Sequence, residues 1–410
     1  MTVLEDKLTS AILGSIRVKR QRPRNSAPLR NQPSGAAPNL REARFSDFDG
    51  VMSLRQRAGW SADSIENWHR LWASNPALEY VSSQTPIGWV LEVQGRVVGY
   101  LGNIALTYRY GQRTLSAVTG TGLVADPEYR AATLSMNAAF YGQGAVDLFL
   151  TTTAVEAVGK IARAFKASPL PQPEYDSMLF WVLEPKEFAE VVAKKLELRR
   201  SLSGLAAGLS AVGLSADRVL RRRWPSVEAV AGEIREIKVA EMGDEFDALW
   251  AEKLTEAPRL LASRDSATLR WHFEVPGDKG AARVLCHYLH GKLAGYAVVR
   301  HEAACEKTGL RRSVIADMVA LNDDPSVLRS LWAAAYHQSK EAGSHIFEVL
   351  GFPVEVRKLC LPWRPYVRKY PACPFFYKAA DPSLHQMLAN GDLWYASPFD
   401  GDTTLWAFGS

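Results

Sequence analysis

One short motif occurs twice in the chain, at the same place in two similarly spaced segments. Residues 95–100, Gly-Arg-Val-Val-Gly-Tyr, return at 291–296 as Gly-Lys-Leu-Ala-Gly-Tyr. An Asp-Pro pair follows each copy, 28 residues from Gly99 to Pro127 and 30 residues from Gly295 to Pro325. A further apolar run begins 19 residues after each proline. This parallel spacing predicts a duplicated α/β unit, and therefore a chain of two lobes.

The length of 410 residues agrees with two lobes, because one hydrophobic core of ordinary size does not extend over so long a chain. We place a disordered basic tail at 1–38, the first lobe at 39–184, a helical connector at 185–233 and the second lobe at 234–410. Hydrophobic residues at 47% and charged residues at 23% are typical of a soluble globular protein.

The positive charge of the chain lies in its tail. Residues 1–40 contain seven Lys or Arg and two acids, a balance of +5 that equals the net charge of the whole chain. The remainder is formally neutral, which argues against a nucleic-acid partner. Two segments have an alternative interpretation. The tail at 1–30 is either solvated or in peripheral contact with an anionic membrane. The connector at 199–223 either packs on the lobes or makes such a membrane contact.

The four cysteines, all in the second half, indicate reduced thiols in a cytoplasmic protein, at most peripheral at the inner face of the membrane. Cys286, His287 and His290 resemble metal ligands in spacing, but a strand puts neighbouring residues on opposite faces. We therefore expect no metal site.

Periodicity predicts the same order of elements in both lobes. In the first, three strands form an antiparallel meander over 88–124, followed by a helix at 132–142, a strand at 146–153, a helix at 156–167 and a strand at 177–183 that completes the lobe. In the second, a meander over 282–321 precedes a helix at 326–342 and a strand at 344–350.

The segment 123–135 carries the most chemistry. A strand stops at Asp126-Pro127 and turns directly into a helix. A helix N-terminus presents unpaired backbone N–H groups and a partial positive charge, which suit a pyrophosphate, and Arg130 adds a full charge. Here the chain resembles the GNAT superfamily of acyl-CoA-dependent N-acyltransferases, whose motif reads Val-x-Pro-x-Tyr-Arg-x-x-Gly-x-Gly. Val124, Pro127 (one place late), Tyr129 and Arg130 fit the motif.

The resemblance implies an α/β (α+β) fold of two tandem GNAT-like lobes, each a mixed, mostly antiparallel sheet with flanking helices. It implies acetyl-CoA as the acyl donor, with the thioester carbonyl held by the backbone of Leu123 and Val124. Arg130 and the N–H groups of Ala131, Ala132, Thr133, Leu134 and Ser135 would hold the pyrophosphate. Thr133 and Ser135 replace the two glycines of the motif, so a purely structural helix cap at Thr133 remains an alternative.

Acyl transfer to an amine needs a base and an acid. Glu156 is our candidate base, with Glu92 as an alternative, and each is also typical of a solvated carboxylate. The tyrosine that serves as the family's usual acid has no counterpart in 156–168, which leaves Tyr141 and, as an alternative, Tyr175.

The second lobe has Asp323-Asp324 where the motif would lie, and two carboxylates repel a pyrophosphate. The chain is thus similar to tandem GNAT-like enzymes, such as Fem-type aminoacyl transferases and mycothiol-synthase-like proteins, with one working and one degenerate lobe. Residues 392–404 are similar to the ending of GNAT-like proteins of bacterial exopolysaccharide and holdfast biosynthesis. Their aromatic and acidic residues suit a sugar site or a closing strand.

These observations lead to three hypotheses. The first is an acetyl-CoA-dependent N-acetyltransferase that acts on an amine, such as an amino sugar of an exopolysaccharide precursor. The second is a catalytically degenerate GNAT-like binding or regulatory protein, an effector of a nucleotide second messenger such as a cyclic dinucleotide, bound through Arg221, Arg222 and Arg223. The third is a Fem-type aminoacyl transferase.

Overall fold

Two mixed, mostly antiparallel sheets with flanking helices form the protein, as the repeat predicts. The computed structural model describes residues 37–81, 85–153, 155–195, 210–218, 223–225, 232–277, 281–369 and 374–405. In chain order the strands are β1 (Asn39–Glu42), β2 (Gly88–Val93), β3 (Arg96–Tyr110), β4 (Arg113–Ala125), β5 (Leu148–Thr151), β6 (Ser168–Pro169), β7 (Ser177–Val182), β8 (Glu233–Ile237), β9 (Leu260–Ala262), β10 (Ala282–Leu289), β11 (Lys292–Glu302), β12 (Arg312–Ala320), β13 (Ile346–Val349), β14 (Tyr366–Lys369) and β15 (Phe376–Ala379).

The helices of the described residues follow the predicted order closely. They are α1 (Phe48–Arg57), α2 (Ile65–Trp72), α3 (Thr133–Tyr141), α4 (Glu156–Ala164), α5 (Pro185–Lys195), α6 (Asp244–Lys253), α7 (Ser266–Phe273), α8 (Pro325–Glu341), α9 (Val354–Lys358) and α10 (Pro382–Met387). Residues 210–218 are also helical, and much of the remaining connector lies outside the described residues, as does the tail at 1–36. No helix among the described residues is long and apolar enough to cross a membrane.

The two copies of the repeated motif have the same local structure. Each begins with a two-residue turn, Gln94-Gly95 or His290-Gly291, in which both residues have positive φ, as a type I′ hairpin requires. The helices α2 and α7 precede the two meanders. Each is N-capped by a short polar side chain, Ser64 or Asp265, that accepts a hydrogen bond from the third residue of its helix.

The two sheets exchange strands. The first has the order β1-β2-β3-β4-β5-β15-β6, with β9 paired to β3, and the second has the order β14-β7-β13-β12-β11-β10-β8. The strand predicted at 177–183 therefore exists, but its assignment to the first lobe was wrong. It pairs with β13 and β14 in the second sheet. The strand β15, from late in the sequence, takes the place beside β5 instead.

Side chains from both halves share the largest hydrophobic core, which includes Trp68 and Tyr296. The helices α2 and α7 meet across it. The Arg70 guanidinium donates to the backbone carbonyl of Leu405 at 2.6 Å, and the Trp271 indole N–H donates to the Arg70 carbonyl at 2.8 Å. The two halves of the sequence are thus joined by strand pairing, by apolar packing and by buried hydrogen bonds.

Candidate functional site

The first sheet opens where β4 and β5 part. These parallel strands pair over only three positions, from Ala117 with Leu148 to Thr119 with Leu150. Beyond these positions a cavity of about 170 Å³ lies between the strands and beneath α3 and α4. Its lining is mostly apolar, with hydroxyl and amide groups at intervals. The lining residues are Trp60, Leu101, Gly120, Thr121, Gly122, Leu123, Asn137, Phe140, Tyr141, Thr151, Thr153, Val155, Val158 and Ala162.

A β-bulge forms part of the cavity wall. Tyr100 pairs with Val124 and Gly102 pairs with Thr121, so Gly122 and Leu123 stand opposite one residue of β3. Gly122 has a φ of +64°, which is the left-handed conformation of a glycine bulge. A bulge leaves the backbone groups of its extra residue outside the ladder. Leu123 lines the cavity, whereas the Val124 side chain is buried.

The turn after β4 is anchored by ion pairs. The Asp126 carboxylate is buried and accepts from Arg57 at 3.0 Å and from Arg96 at 2.8 Å. A 3₁₀-helix, Pro127–Ala132, then leads directly into α3. The turn into a helix exists as predicted, but helical backbone begins at Pro127 rather than near Ala132.

This early start changes which groups of the turn are unpaired. The N–H of Thr133 donates to the carbonyl of Arg130, and the hydroxyls of Thr133 and Ser135 donate to the carbonyls of Arg130 and Ala132. Thr133 makes no side-chain cap. The Arg130 side chain is exposed and makes no ion pair with any described residue. Arg130 is thus the group of this turn that is available to an anion, together with the exposed edge at Ala131, Leu134 and Ser135.

Neither predicted carboxylate base lies on the cavity. Glu156 is the first residue of α4, its side chain is 85% exposed, and it pairs with Lys160 at 2.9 Å. The Lys160 hydrogen bond lowers the pKa of Glu156, which makes it a weaker base. Glu92 on β2 pairs with Arg41 at 2.6 Å. Neither residue is placed to act as a base on the cavity.

The two predicted tyrosines differ in their position relative to the cavity. Tyr141 ends α3, lines the cavity and stacks on Phe165, and its hydroxyl lies 3.5 Å from that of Thr151. Burial raises the pKa of Tyr141, so its hydroxyl keeps its proton through neutral pH. Tyr175 is buried away from the cavity, with its hydroxyl 3.5 Å from the Ser397 carbonyl.

The second sheet is filled where the first is open. There β12 and β13 also pair over three positions, from Arg312 with Ile346 to Val314 with Glu348. The segment 394–397 then bridges the parting strands. The Tyr395 hydroxyl donates to the Met318 carbonyl at 2.7 Å, and the N–H of Phe352 donates to the Ala396 carbonyl at 2.8 Å.

The helix terminus of the second lobe is also occupied. The Asp324 carboxylate accepts from the N–H of Ser326 at 2.7 Å and of Val327 at 3.3 Å. Backbone N–H groups at the start of a helix are the ones that a phosphate would need. Asp323 accepts from Lys253 and Arg259, each at 2.8 Å. The absence of a pyrophosphate site from this lobe remains a prediction, and the occupied helix terminus supports it.

Asp402 is a residue that the sequence analysis missed. Its carboxylate is 3% exposed and accepts from the hydroxyl of Thr152 at 2.7 Å and of Thr153 at 3.2 Å. Thr121 on β4 donates a third hydrogen bond. The sequence signal was the Asp-Gly-Asp run at 400–402, which we read as part of a closing strand or a sugar site.

The second-messenger hypothesis finds no support in Arg223. Its guanidinium is buried, donates to Asp217 at 2.7 Å and lies 4.0 Å from the Tyr366 ring centre. Arg221 and Arg222 lie outside the described residues. No group of three or more His, Cys, Asp or Glu in the described part of the chain could hold a metal ion.

Comparison with solved protein structures identifies the fold of this chain. No protein-family model matches the chain, and no curated protein is significantly similar in sequence. Among solved structures, a GCN5-related N-acetyltransferase from Anabaena variabilis ATCC 29413 has a TM-score of 0.53 at 10% identity, covering 84% of this chain and 73% of that one. Saccharomyces cerevisiae N-myristoyltransferase with bound myristoyl-CoA and inhibitors has a TM-score of 0.51 at 12% identity, covering 85% and 82%. The two sheets and flanking helices are therefore a tandem GNAT fold.

Proposed function

We propose that this protein is an acyl-CoA-dependent N-acyltransferase that moves an acetyl group from acetyl-CoA to an amine. The observation that carries the proposal is the cavity between the parting strands β4 and β5, with the bulge at Gly122 in its wall. The fold neighbours support a CoA thioester as the donor, since they include an N-acetyltransferase and an enzyme with bound myristoyl-CoA. The cavity of about 170 Å³ favours a short acyl group over a fatty chain.

The cavity suits a thioester in three ways. Its apolar lining, including Phe140 and Val158, would cover the pantetheine arm and exclude water. Backbone groups at the bulge, next to Leu123, would bind the thioester carbonyl as its oxygen gains charge. The Tyr141 hydroxyl, protonated at neutral pH, would donate to the departing sulfur.

The exposed part of the donor would lie along the turn after β4. There the Arg130 guanidinium is exposed and has no ion-pair partner among the described residues. It could neutralise part of the pyrophosphate charge. The N–H groups contribute less than the motif led us to expect, because that of Thr133 is already bonded within the turn.

For the acceptor we propose an amino sugar of an exopolysaccharide precursor. Trp60 lines the cavity and keeps 40% of its surface exposed, so an aromatic face lies at the cavity mouth. Aromatic faces bind sugars by stacking. Val155, 58% exposed, lies beside the same mouth.

Calorimetry with acetyl-CoA tests the proposal. We expect the parent protein to bind acetyl-CoA. Arg130→Ala should bind it about 10-fold more weakly, since a charge-assisted contact contributes about 1.5 kcal/mol. Val158→Trp should show no measurable binding, because the larger side chain fills the cavity. Lys160→Ala is the matched control, because Lys160 is a cation of the same lobe that pairs with Glu156 outside the cavity. Failure of the parent protein to bind acetyl-CoA would refute the function.

A further inference from the structure

The carboxylate of Asp402 is buried without a cation. Its hydrogen-bond partners are the neutral hydroxyls of Thr121 on β4 and of Thr152 and Thr153 after β5, and its own N–H donates back to Thr152 at 3.1 Å. No described cation makes an ion pair with it. Isolated burial of a charged carboxylate is unfavourable, and burial accordingly raises the pKa of Asp402.

The neighbouring Asp400 shows what a purely structural carboxylate looks like in this protein. Asp400 is equally buried, but it lies 3.5 Å from the Arg264 guanidinium and accepts from the Tyr108 hydroxyl at 2.9 Å. Arg264 also pairs with Asp317 at 2.9 Å. Asp400 thus shares a cation with Asp317, whereas the described partners of Asp402 are neutral hydroxyl groups, which can pass on a proton.

Two of the threonines bonded to Asp402 also line the cavity. Thr121 lies beside the bulge, and Thr153 follows β5 and is exposed. Each contacts the carboxylate through its hydroxyl and is also a lining residue of the cavity. Asp402 therefore stands one hydroxyl away from the place where an acceptor would meet the thioester.

We infer that Asp402, acting through the Thr153 hydroxyl, receives the proton that the acceptor ammonium must lose before it attacks; this inference rests on the proposed function. The ammonium N–H bond breaks as its proton moves to the Thr153 oxygen, and the proton originally on that oxygen moves to the Asp402 carboxylate. The freed lone pair forms the C–N bond at the thioester carbonyl, and the C–S bond breaks. The thiolate takes a proton from Tyr141, which regains one from the new amide nitrogen.

Four variants test this inference in the full chain: Asp402→Asn, Thr153→Val, Thr153→Ser and the control Asp392→Asn, an exposed acid earlier in the same segment. We measure acetyl-CoA binding by calorimetry and CoA release with glucosamine as the probe amine from pH 6 to 9.5. We expect D402N and T153V to bind acetyl-CoA within about twofold of the parent but to lose about 100-fold in kcat at pH 7, as expected for a lost proton acceptor. Their kcat/KM should also lose the acid limb of its pH profile. T153S should keep most activity because it keeps the hydroxyl, and D392N should match the parent.

Thermal unfolding supplies a readout that does not need the natural acceptor. A carboxyl whose pKa is raised by folding stabilises the fold at low pH and loses that contribution as pH rises through the folded-state pKa. D402N removes this loss, so its Tm relative to the parent should rise as pH increases above the ordinary carboxyl pKa of about 4. If glucosamine is not turned over, this measurement still tests the premise that Asp402 exchanges a proton in the folded state. A pH-independent Tm difference, or an unchanged pH profile in D402N, overturns the inference alone; a parent protein that does not bind acetyl-CoA overturns the proposed function and the inference with it.

Discussion

Gly122 and Asp317 occupy the same position in the two repeats. Each lies two residues before the strand residue that pairs with the repeated tyrosine, Val124 opposite Tyr100 and Val319 opposite Tyr296. In the first sheet the glycine leaves the space between the strands open. In the second, the Asp317 carboxylate projects into a network with Arg264 and accepts from the Tyr296 hydroxyl at 2.8 Å. The wall of the second sheet is therefore occupied by this network together with the segment 394–397, whereas the wall of the first is open beside Gly122.

The residues of the candidate site were only partly predictable. Leu123 and Tyr141 lie on the cavity and come from one local segment, a strand and the helix after it, while their roles remain predictions. Asp402 could not be predicted, because it meets Thr152 and Thr153 from 250 and 249 residues away in sequence. Glu156 directly follows the segment after β5, but its side chain points to solvent and pairs with Lys160 instead of facing the cavity.

Removal of the Tyr141 hydroxyl should separate catalysis from binding. We expect Tyr141→Phe to lower kcat by about 100-fold, because the departing thiolate loses its proton donor. Acetyl-CoA affinity should stay within about twofold, since the ring is kept. Steady-state kinetics and calorimetry measure the two effects. Tyr175→Phe is the matched control, a buried tyrosine away from the cavity, and an equal loss in both variants would contradict the assignment.

Replacement of Arg264 tests the balance of the buried network. Arg264→Met would leave Asp317 and Asp400 without their shared cation, and loss of one partner of a buried ion pair costs about 3–5 kcal/mol. Arg235→Met is the matched control, because Arg235 pairs with Glu233 on the surface and its loss should have a much smaller effect. Urea unfolding followed by circular dichroism measures both. Equal effects would show that the network does not depend on the arginine.

At the scale of elements, the segment 394–402 joins the two sites. Its first part fills the second sheet, and its last part reaches the end of β5 in the first. Gly401 makes the last contact possible. It has a φ of +83°, and a β-carbon at this position would lie 2.3 Å from the Thr152 methyl carbon. The close approach places Asp402 on the threonines.

Gly401→Ala should therefore destabilise the protein by about 3 kcal/mol, from backbone strain together with overpacking. Gly144→Ala is the control, since no atom lies within 4 Å of the β-carbon that would be added. Its effect should stay within about 0.5 kcal/mol. Chemical denaturation measures both changes. An unchanged free energy of unfolding in Gly401→Ala would mean that the segment does not pack closely against Thr152.

Helices and strands of the repeats were predicted well because their signals are local. A continuous apolar run predicts a strand at 177–183 from its own residues, and the structure contains it as β7. Its sheet was not predictable, because the two sheets are similar and a short apolar strand fits either one. Tertiary pairing with β13 and β14 decided the choice.

For the whole molecule, strand exchange argues against independent lobes. The division at 184 remains a prediction, while the hydrogen bonding crosses it in both directions through β7 and β15. We expect calorimetry to record one cooperative transition, with equal calorimetric and van't Hoff enthalpies. A fragment of residues 37–184 should unfold without a cooperative transition, because β5 lacks β15 and β7 has no partner. Two separate transitions in the full chain would contradict this expectation.

Strand exchange also sets an order for events during synthesis. The inner edge of β5 is completed only by β15, whose Phe376 pairs with Thr151, 225 residues earlier. At elongation rates of about 5–20 residues per second, that interval lasts roughly 10–45 s. Throughout it, the nascent chain has an apolar strand with an unpaired edge, which is a surface that molecular chaperones recognise and that other nascent chains can pair with.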